Sequence, residues 1–366
     1  MAETKLYKYN PDYAVVPGEI LEETLEARNI KKVDLAERCS LSPKTVSQII
    51  SGKAPITPGT AIQLERVLGV SANIWNNLEA NYRLFQARKG SHIELSKHED
   101  WLKKFPLKEL TKRGVIRRKS DPAETIDQLL DFFGVGSIPA WEAKFKQLQV
   151  SFRFSPSFRS SPESVAAWLR IGELRAEEVE CAPYITVKFK EALREIRGLT
   201  AEDPRIFEPK MKQLCAESGV VLVFVAELPG THLSGATRWV EANKALMMLS
   251  LRYHSDDQFW FTFFHEAGHV LLHGKKSIFL DEEDMEMNEE ENQANKFATG
   301  ILIPPNMYSA FLEKREFATL SVQQFAQTWG IAPGIVVGRM QHDRIVPWQS
   351  RLNHLKRSFQ FVETTT

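Results

Sequence analysis

Cysteine is scarce, charge of either sign is not in excess, and no long apolar run occurs; each lack removes a class of protein. The three cysteines, Cys39, Cys181 and Cys215, are widely separated and form no C-x-x-C pair. A disulfide framework is therefore not expected, which fits a reducing cytoplasm. Forty-seven basic residues balance 47 acidic ones, so any nucleic-acid surface has to be local. The longest apolar stretch, VVLVFVA at 220–226, is of strand length, well short of the roughly twenty residues that cross a bilayer. No membrane partner is expected. MAETKLYKYNPDY has no apolar core behind a basic flank, so a secretory leader is not expected either. What remains is a cytoplasmic globular chain, and 366 residues are too many for one ordinary core.

Residues 17–89 divide into short helices by their punctuation. Pro17 opens PGEILEETLEARN, where Ile20, Leu21, Thr24 and Leu25 mark one face. VDLAERC follows, then a turn at SLS and PKTVSQIISG, with Ser42 as N-cap, Pro43 in the first turn and Gly52 as the stop. Thr57, Pro58 and Gly69 repeat the scheme, and SANIWNNLEANYRLFQARK makes a fifth, longer helix. From about 91 to 215 the pattern is amphipathic helix, broken at SDPAE, FGVGSIP and RFSPSFRSSPES. Beyond it the period shifts towards two: VVLVFVA and ALMMLSL read as strands of a small sheet. The expected fold is mainly α with a small sheet, an α+β arrangement. Its domains are a five-helix unit at 1–90, a helical connector at 91–180, and a domain at 181–366 with a helical C-terminal tail.

FHEAGHVLLHG at 264–274 carries the chemistry. On a helix, residues four apart differ by about 40° around the axis and one turn along it. His265 and His269 can therefore reach one ion, and Glu266 flanks it where it can hold the attacking water as general base. FWFTFF before and VLL after make the helix apolar, so burying these three groups is costly unless they act. Gly268 permits close backbone approach. His273 lies two turns from His265, about 12 Å on ideal geometry, too far for one ion to bridge. Leu272 and Lys275 stand where a third-histidine motif needs glycine and histidine. The third ligand is therefore expected from EEENQANKFATGILIPP at 289–305. Glu291 lies one turn before Ala294 and Asn295, on the face with Phe297 and Ala298, whereas Glu289 and Glu290 group with the solvated DEEDMEM run.

FHEAGH, ENQANKFA and LIPP resemble the ImmA/IrrE family of zinc metallopeptidases, over roughly residues 190–310. The resemblance implies a zincin-like domain with one Zn2+ per chain held by His265, His269 and Glu291. It also implies a cytoplasmic endopeptidase that cleaves repressor proteins of the helix-turn-helix type. Such an enzyme takes substrate as an added strand at a sheet edge, for which LSGATRW and ALMMLSL are candidates, the latter apolar enough to be a core strand. Arg238, Tyr253, His254 and His342 are available to stabilise a tetrahedral intermediate, and the sequence does not choose among them.

VDLAERCSLSPKTVSQIISGK has the helix, turn and second helix that can enter a major groove. Val46, Ile49 and Ile50 face inward, while Ser42, Lys44, Thr45, Ser47 and Gln48 are offered to DNA, with Lys31, Lys32 and Lys53 at phosphate positions. The segment resembles the Cro/repressor-type domain of HigA-like antitoxins across about 15–89, which implies a double-stranded operator as partner. Ten basic side chains against eight acidic ones over 15–89 leave little excess charge, so a homodimer through this domain would help. A gapless repeat aligns LAERCSLSPKTVSQI (35–49) with FAQTWGIAPGIVVGR (325–339). Gly334, Ile335 and Gly338 replace Lys44, Thr45 and Gln48 there, so the later copy is expected to pack against protein.

The leading reading is a zinc endopeptidase tethered to a DNA-binding module and acting on a repressor or antitoxin-like protein. The alternative is an antitoxin-type regulator whose metal domain senses a ligand without cutting, against which the intact Glu266 counts. A third is self-cleavage at 153–164.

Overall fold

Side-chain caps set the rhythm of the N-terminal helices. Ser42 accepts a hydrogen bond from the Thr45 N–H at 3.0 Å, and Thr57 caps the next helix in the same way. Each cap precedes a proline in the first helical turn and contributes about 1 kcal/mol. The computed structural model describes residues 13–151, 160–274, 279–282 and 289–361, with side chains except at 147–151 and 280–282. The first twelve residues, 153–159 of the Ser- and Pro-rich stretch, and most of the DEEDMEM run lie outside the described residues.

Helices α1 (Pro17–Ala27), α2 (Lys32–Arg38), α3 (Pro43–Ile50), α4 (Pro58–Leu68) and α5 (Ala72–Ser96) form the first unit. Its core gathers Leu21, Leu25, Leu35, Val46, Ile49 and Trp75; each such buried side chain contributes about 1.5–3 kcal/mol. The buried Glu79 of α5 accepts the Ile56 N–H at 3.1 Å and the Arg83 Nε–H at 2.7 Å. By contacts the chain divides into two compact units, Met1–Glu99 with Ser120–Ile126, and Asp100–Lys119 with Asp127–Thr366.

Next come α6 (Glu99–Leu102), α7 (Leu107–Lys112), α8 (Pro122–Phe133), α9 (Ile138–Ser151), α10 (Pro162–Glu177), α11 (Thr186–Gly198) and α12 (Pro204–Glu217). The sheet follows: β1 (Val220–Phe224), β2 (Leu233–Glu241), β3 (Lys244–Leu249), then α13 (Asp256–Leu272) and β4 (Phe279–Glu282). The remaining helices are α14 (Glu289–Leu302), α15 (Pro305–Glu313), α16 (Thr319–Trp329) and α17 (Pro333–His342). The fold is thus mainly helical with one small mixed sheet, as expected. No helix among the described residues is long and apolar enough to cross a membrane, and the three cysteines are unbridged.

The sheet order is β1-β3-β2-β4, with β1 parallel to β3 and the other pairs antiparallel. This corrects the candidacy of LSGATRW for the edge and agrees with ALMMLSL as a core strand. Both are interior strands, and the edge beside β2 is β4, whose four residues carry too little pattern to be recognised. Alternation along β2 sends Thr237 towards α13 and Arg238 towards α10, where it pairs with Glu173. The sheet therefore lies between α13 on one face and α10 on the other.

The repeat is structural. Leu41 N–H donates to Ala36 O at 2.8 Å, and Ile331 N–H donates to Ala326 O at 3.1 Å. The turn residues Ser40 and Gly330 both adopt positive φ, 52° and 62°, and Pro43 and Pro333 both open the second helix. In the later copy α17 lies against the start of α13. A Cβ on Gly334 would come within 2.3 Å of Asp256 Oδ1, and one on Gly338 within 2.3 Å of Asp257 Oδ2. The positions of Lys44 and Gln48 in the first copy thus correspond to a packing face in the second. The C-terminal segment holds the same helix end: Lys356 pairs with Asp257 at 2.6 Å, and Phe359 N–H donates to His254 O at 2.7 Å. Gly334→Ala should destabilise the second unit by about 1–3 kcal/mol by overpacking. Gly300→Ala, where an added methyl meets nothing within 4 Å, should stabilise it by about 0.5–1 kcal/mol. Denaturant midpoints of the two variants should move in opposite directions.

Candidate metal centre and helix-turn-helix surface

Helix α13 is apolar almost all round, with Asp256 and Asp257 in its first turn, where the helix dipole favours negative charge. Such a helix belongs in a core, and thirteen of its residues are buried. Three of these are His265, Glu266 and His269, at 2%, 0% and 2% exposure. Buried polar groups of this kind need partners, and α14 and β2 provide them. Helix α14 runs antiparallel to α13, and Gly268 allows the approach: a Cβ there would stand 3.1 Å from Ala294 Cα.

Glu291 closes the triangle. His265 Nε2 lies 2.9 Å from His269 Nε2 and 3.1 Å from Glu291 Oε2, and His269 Nε2 lies 3.5 Å from Glu291 Oε1. Ligands held about 2.0–2.1 Å from a tetrahedral ion are about 3.3 Å apart, so the three residues fit a zinc-sized ion without rearrangement. Among the described residues they form a cluster with ligand atoms all within 4.8 Å. Glu289 is exposed and Glu290 is half-buried, and neither belongs to the cluster.

The protonation states suit a cation. Burial pushes His269 down to about 4, against the opposing pull of Glu291. Burial works to raise the Glu291 carboxyl, but its contacts with His265 and His269 outweigh this and hold it at about 2. At neutral pH the site is a neutral imidazole facing a carboxylate. Outer contacts orient the rings. His265 Nδ1 is 2.9 Å from Asn295 Oδ1; with Nδ1 as donor, Nε2 carries the lone pair. His269 Nδ1 lies 2.9 Å from His273 Nδ1, and the Phe279 ring stacks on His269 at 4.0 Å. His273, expected to be too far from His265 to share its ion, is a hydrogen-bond partner of His269.

Glu266 faces β2. The Thr237 hydroxyl donates to its Oε2, and a Cβ on Gly235 would lie 2.5 Å from its Oε1. Sequence reasoning missed Gly235, Thr237 and Phe279 because they reach the site from strands whose pairing the sequence does not show. Asn295 and His273 had a signal, since each lies four residues from an expected ligand. None of the four candidates for stabilising the intermediate is placed at the triangle. Arg238 points to the other sheet face, and His342 is 76% exposed on α17. Tyr253 and His254 precede α13, whose first residue is about 14 Å of helix rise before His265.

In the first unit Lys44, Ser47, Lys31 and Lys53 are exposed, and Thr45 and Gln48 are half-buried beside the buried Val46 and Ile49. The Ser42 hydroxyl is occupied as the cap and lies 2.8 Å from Thr45 Oγ1. Lys32 pairs with Glu22 at 2.5 Å.

Comparison with known proteins agrees with this division. The helix-turn-helix family model matches residues 21–75, and the IrrE N-terminal-like domain matches residues 216–340. An uncharacterized HTH-type transcriptional regulator, YddM of Escherichia coli, is 37% identical over 73 residues, 20% of this chain and 78% of that protein. Virulence-associated protein I of Dichelobacter nodosus is 35% identical over 77 residues, 21% of this chain and 71% of that protein. Among solved structures, the Pseudomonas aeruginosa antitoxin HigA with the higBA promoter is 31% identical. It covers 24% of this chain and 95% of that chain, with a TM-score of 0.22.

Metal analysis tests the triangle. Glu291→Ala should lower affinity for a divalent ion by at least about 100-fold and Asn295→Ala by about 10–100-fold, while Glu290→Ala keeps the wild-type metal content. Loss of metal from Glu290→Ala instead would overturn the placement.

Proposed function

The chain belongs to the helix-turn-helix regulators through residues 21–75 and carries an IrrE N-terminal-like domain over residues 216–340, and from this we propose that it is a zinc-dependent endopeptidase coupled to a DNA-binding module. The observation that carries the reading is a buried glutamate, Glu266, on the same helix as two histidines that share a third partner, Glu291. A site that only held an ion for structural reasons would have no use for a carboxylate aligned by Thr237 and given room by Gly235.

His265, His269 and Glu291 hold the ion, which supplies Lewis-acid activation of water and of the scissile carbonyl when bound. Glu266 takes the proton of the attacking water and delivers it to the leaving amine. Thr237 fixes the carboxylate through its Oε2, and Asn295 and His273 keep the two rings turned towards the shared point. Substrate adds as a strand along the outer edge of β4, whose Phe279 stacks on His269. The substrate is a repressor or antitoxin-like protein, and residues 1–90, 91–180 and 181–366 act as reader, connector and peptidase.

Lys44, Ser47 and Gln48 approach base edges in this proposal, Ser42, which caps the reading helix, and Thr45 meet phosphate, and Lys32 and Lys53 contact the DNA backbone. The small excess of positive charge favours two copies on two half-sites.

Zinc-loaded Glu266→Gln should keep its metal and lose at least about a thousandfold in cleavage of co-encoded repressor proteins. Cleavage that survives the substitution would defeat the mechanism. For the reader, Gln48→Ala should cost about 1–3 kcal/mol in operator binding and relax the preference at one base pair. Lys53→Ala should weaken all DNA alike and lower the salt slope by about one. Fluorescence anisotropy across a salt series separates the two effects.

A further inference from the structure

The groove between α13 and α14 does not end at the histidines. Because the helices run antiparallel, Glu291 is level with His269 and Asn295 with His265. One turn further along the same two faces stand Phe261 and Thr299, and they line a cavity of about 100 Å3. Leu302 and Ile303 continue the wall from α14, and α17 closes it with Ile335 and Gly338. The Phe261 ring centroid is 6.1 Å from that of His265, so a wall of the cavity stands one helical turn, ~5.4 Å of rise, from the ligand pair.

We propose that this cavity is the subsite that receives an uncharged, apolar side chain of the peptide substrate beside the bond that is cut. The inference rests on the peptidase reading and adds to it what the peptide must carry. Size decides between occupants. Independent small-molecule sites usually enclose about 300–1,000 Å3, whereas an apolar cavity of about 150 Å3 holds a single benzene ring. A space of about 100 Å3 suits one branched aliphatic or small ring side chain. Charge decides its polarity. Asp257 and Arg339 both line the cavity, but Asp257 is paired with Lys356 at 2.6 Å and Arg339 with Asp343 at 2.7 Å. His342, which also lines the cavity, lies against Asp343 at 3.3 Å. None of the three asks for a counter-charge from the occupant, and Asp257 Oδ1, buried without a hydrogen-bond partner, leaves room at most for one donor at the rim. The later helix-turn-helix copy thereby acquires a role: α17, lacking the side chains its counterpart would offer to DNA, walls the pocket, and Gly338 stands where the first copy has Gln48.

The test uses the zinc-loaded full chain and reads binding. N-acetylated hydroxamates of glycine, leucine, phenylalanine and glutamate share one metal-seeking group and differ only in side chain. Calorimetry should show the leucine and phenylalanine probes binding about tenfold or more tighter than the glycine and glutamate ones. Thr299→Leu, which fills the cavity, should reduce that advantage to within about threefold and leave the affinity for the glycine probe unchanged. Phe261→Ala, which enlarges it, should move the preference towards phenylalanine. Equal affinities across the series in the wild type, or an advantage that survives Thr299→Leu, would overturn the subsite. If the glycine probe does not bind, the metal-centre reading has failed and the subsite falls with it, so one probe tells the two failures apart.

Discussion

Everything in the second unit follows from the burial of α13. A helix apolar on nearly every side has to be surrounded, and here the sheet, α14 and α17 surround it. Burial places His265, Glu266 and His269 where water cannot satisfy them, so each needs a protein partner or an ion. Glu291, Asn295, His273 and Thr237 are those partners. Electrostatics then set the site's state: low dielectric keeps His269 neutral, and the imidazoles keep Glu291 ionised.

Close approach is the second constraint. The triangle of ligand atoms closes because α14 comes near enough at Gly268 for Ala294 to touch it. Glu266 is aligned because β2 comes near enough at Gly235 for Thr237 to reach the carboxylate. The start of α13 is fixed from outside by the C-terminal segment and by α17, where two glycines admit Asp256 and Asp257. Small residues at three contacts thus convert an apolar helix into a defined site.

The two helix-turn-helix copies show one local design turned to two ends. Both share the turn hydrogen bond, the positive-φ residue and the proline that opens the second helix. In the first copy Lys44 and Ser47 stand exposed on the second helix. In the second, Gly334 and Gly338, at the positions of Lys44 and Gln48, let that helix lie flat on α13. The backbone is set by a few caps and buried contacts, and the outer face remains open to change.

Local chemistry was legible from the residues alone. Caps, proline positions and helical spacing marked α1 to α5, α13 and α14, because these signals act within one or two turns of chain. Helical spacing likewise placed His265 and His269 side by side, and the apolar face of α14 singled out Glu291 from its neighbours. Contacts between distant segments were not legible. Strand order put β4 at the edge and LSGATRW inside, since pairing depends on which chain lies alongside and four residues carry no usable period. Thr237, Gly235 and Phe279 joined the site from other strands, and Arg238 left it by pointing to the opposite face. The spacing of residues along one helix determines which of them can act together; only the packing of that helix against its neighbours decides what they meet.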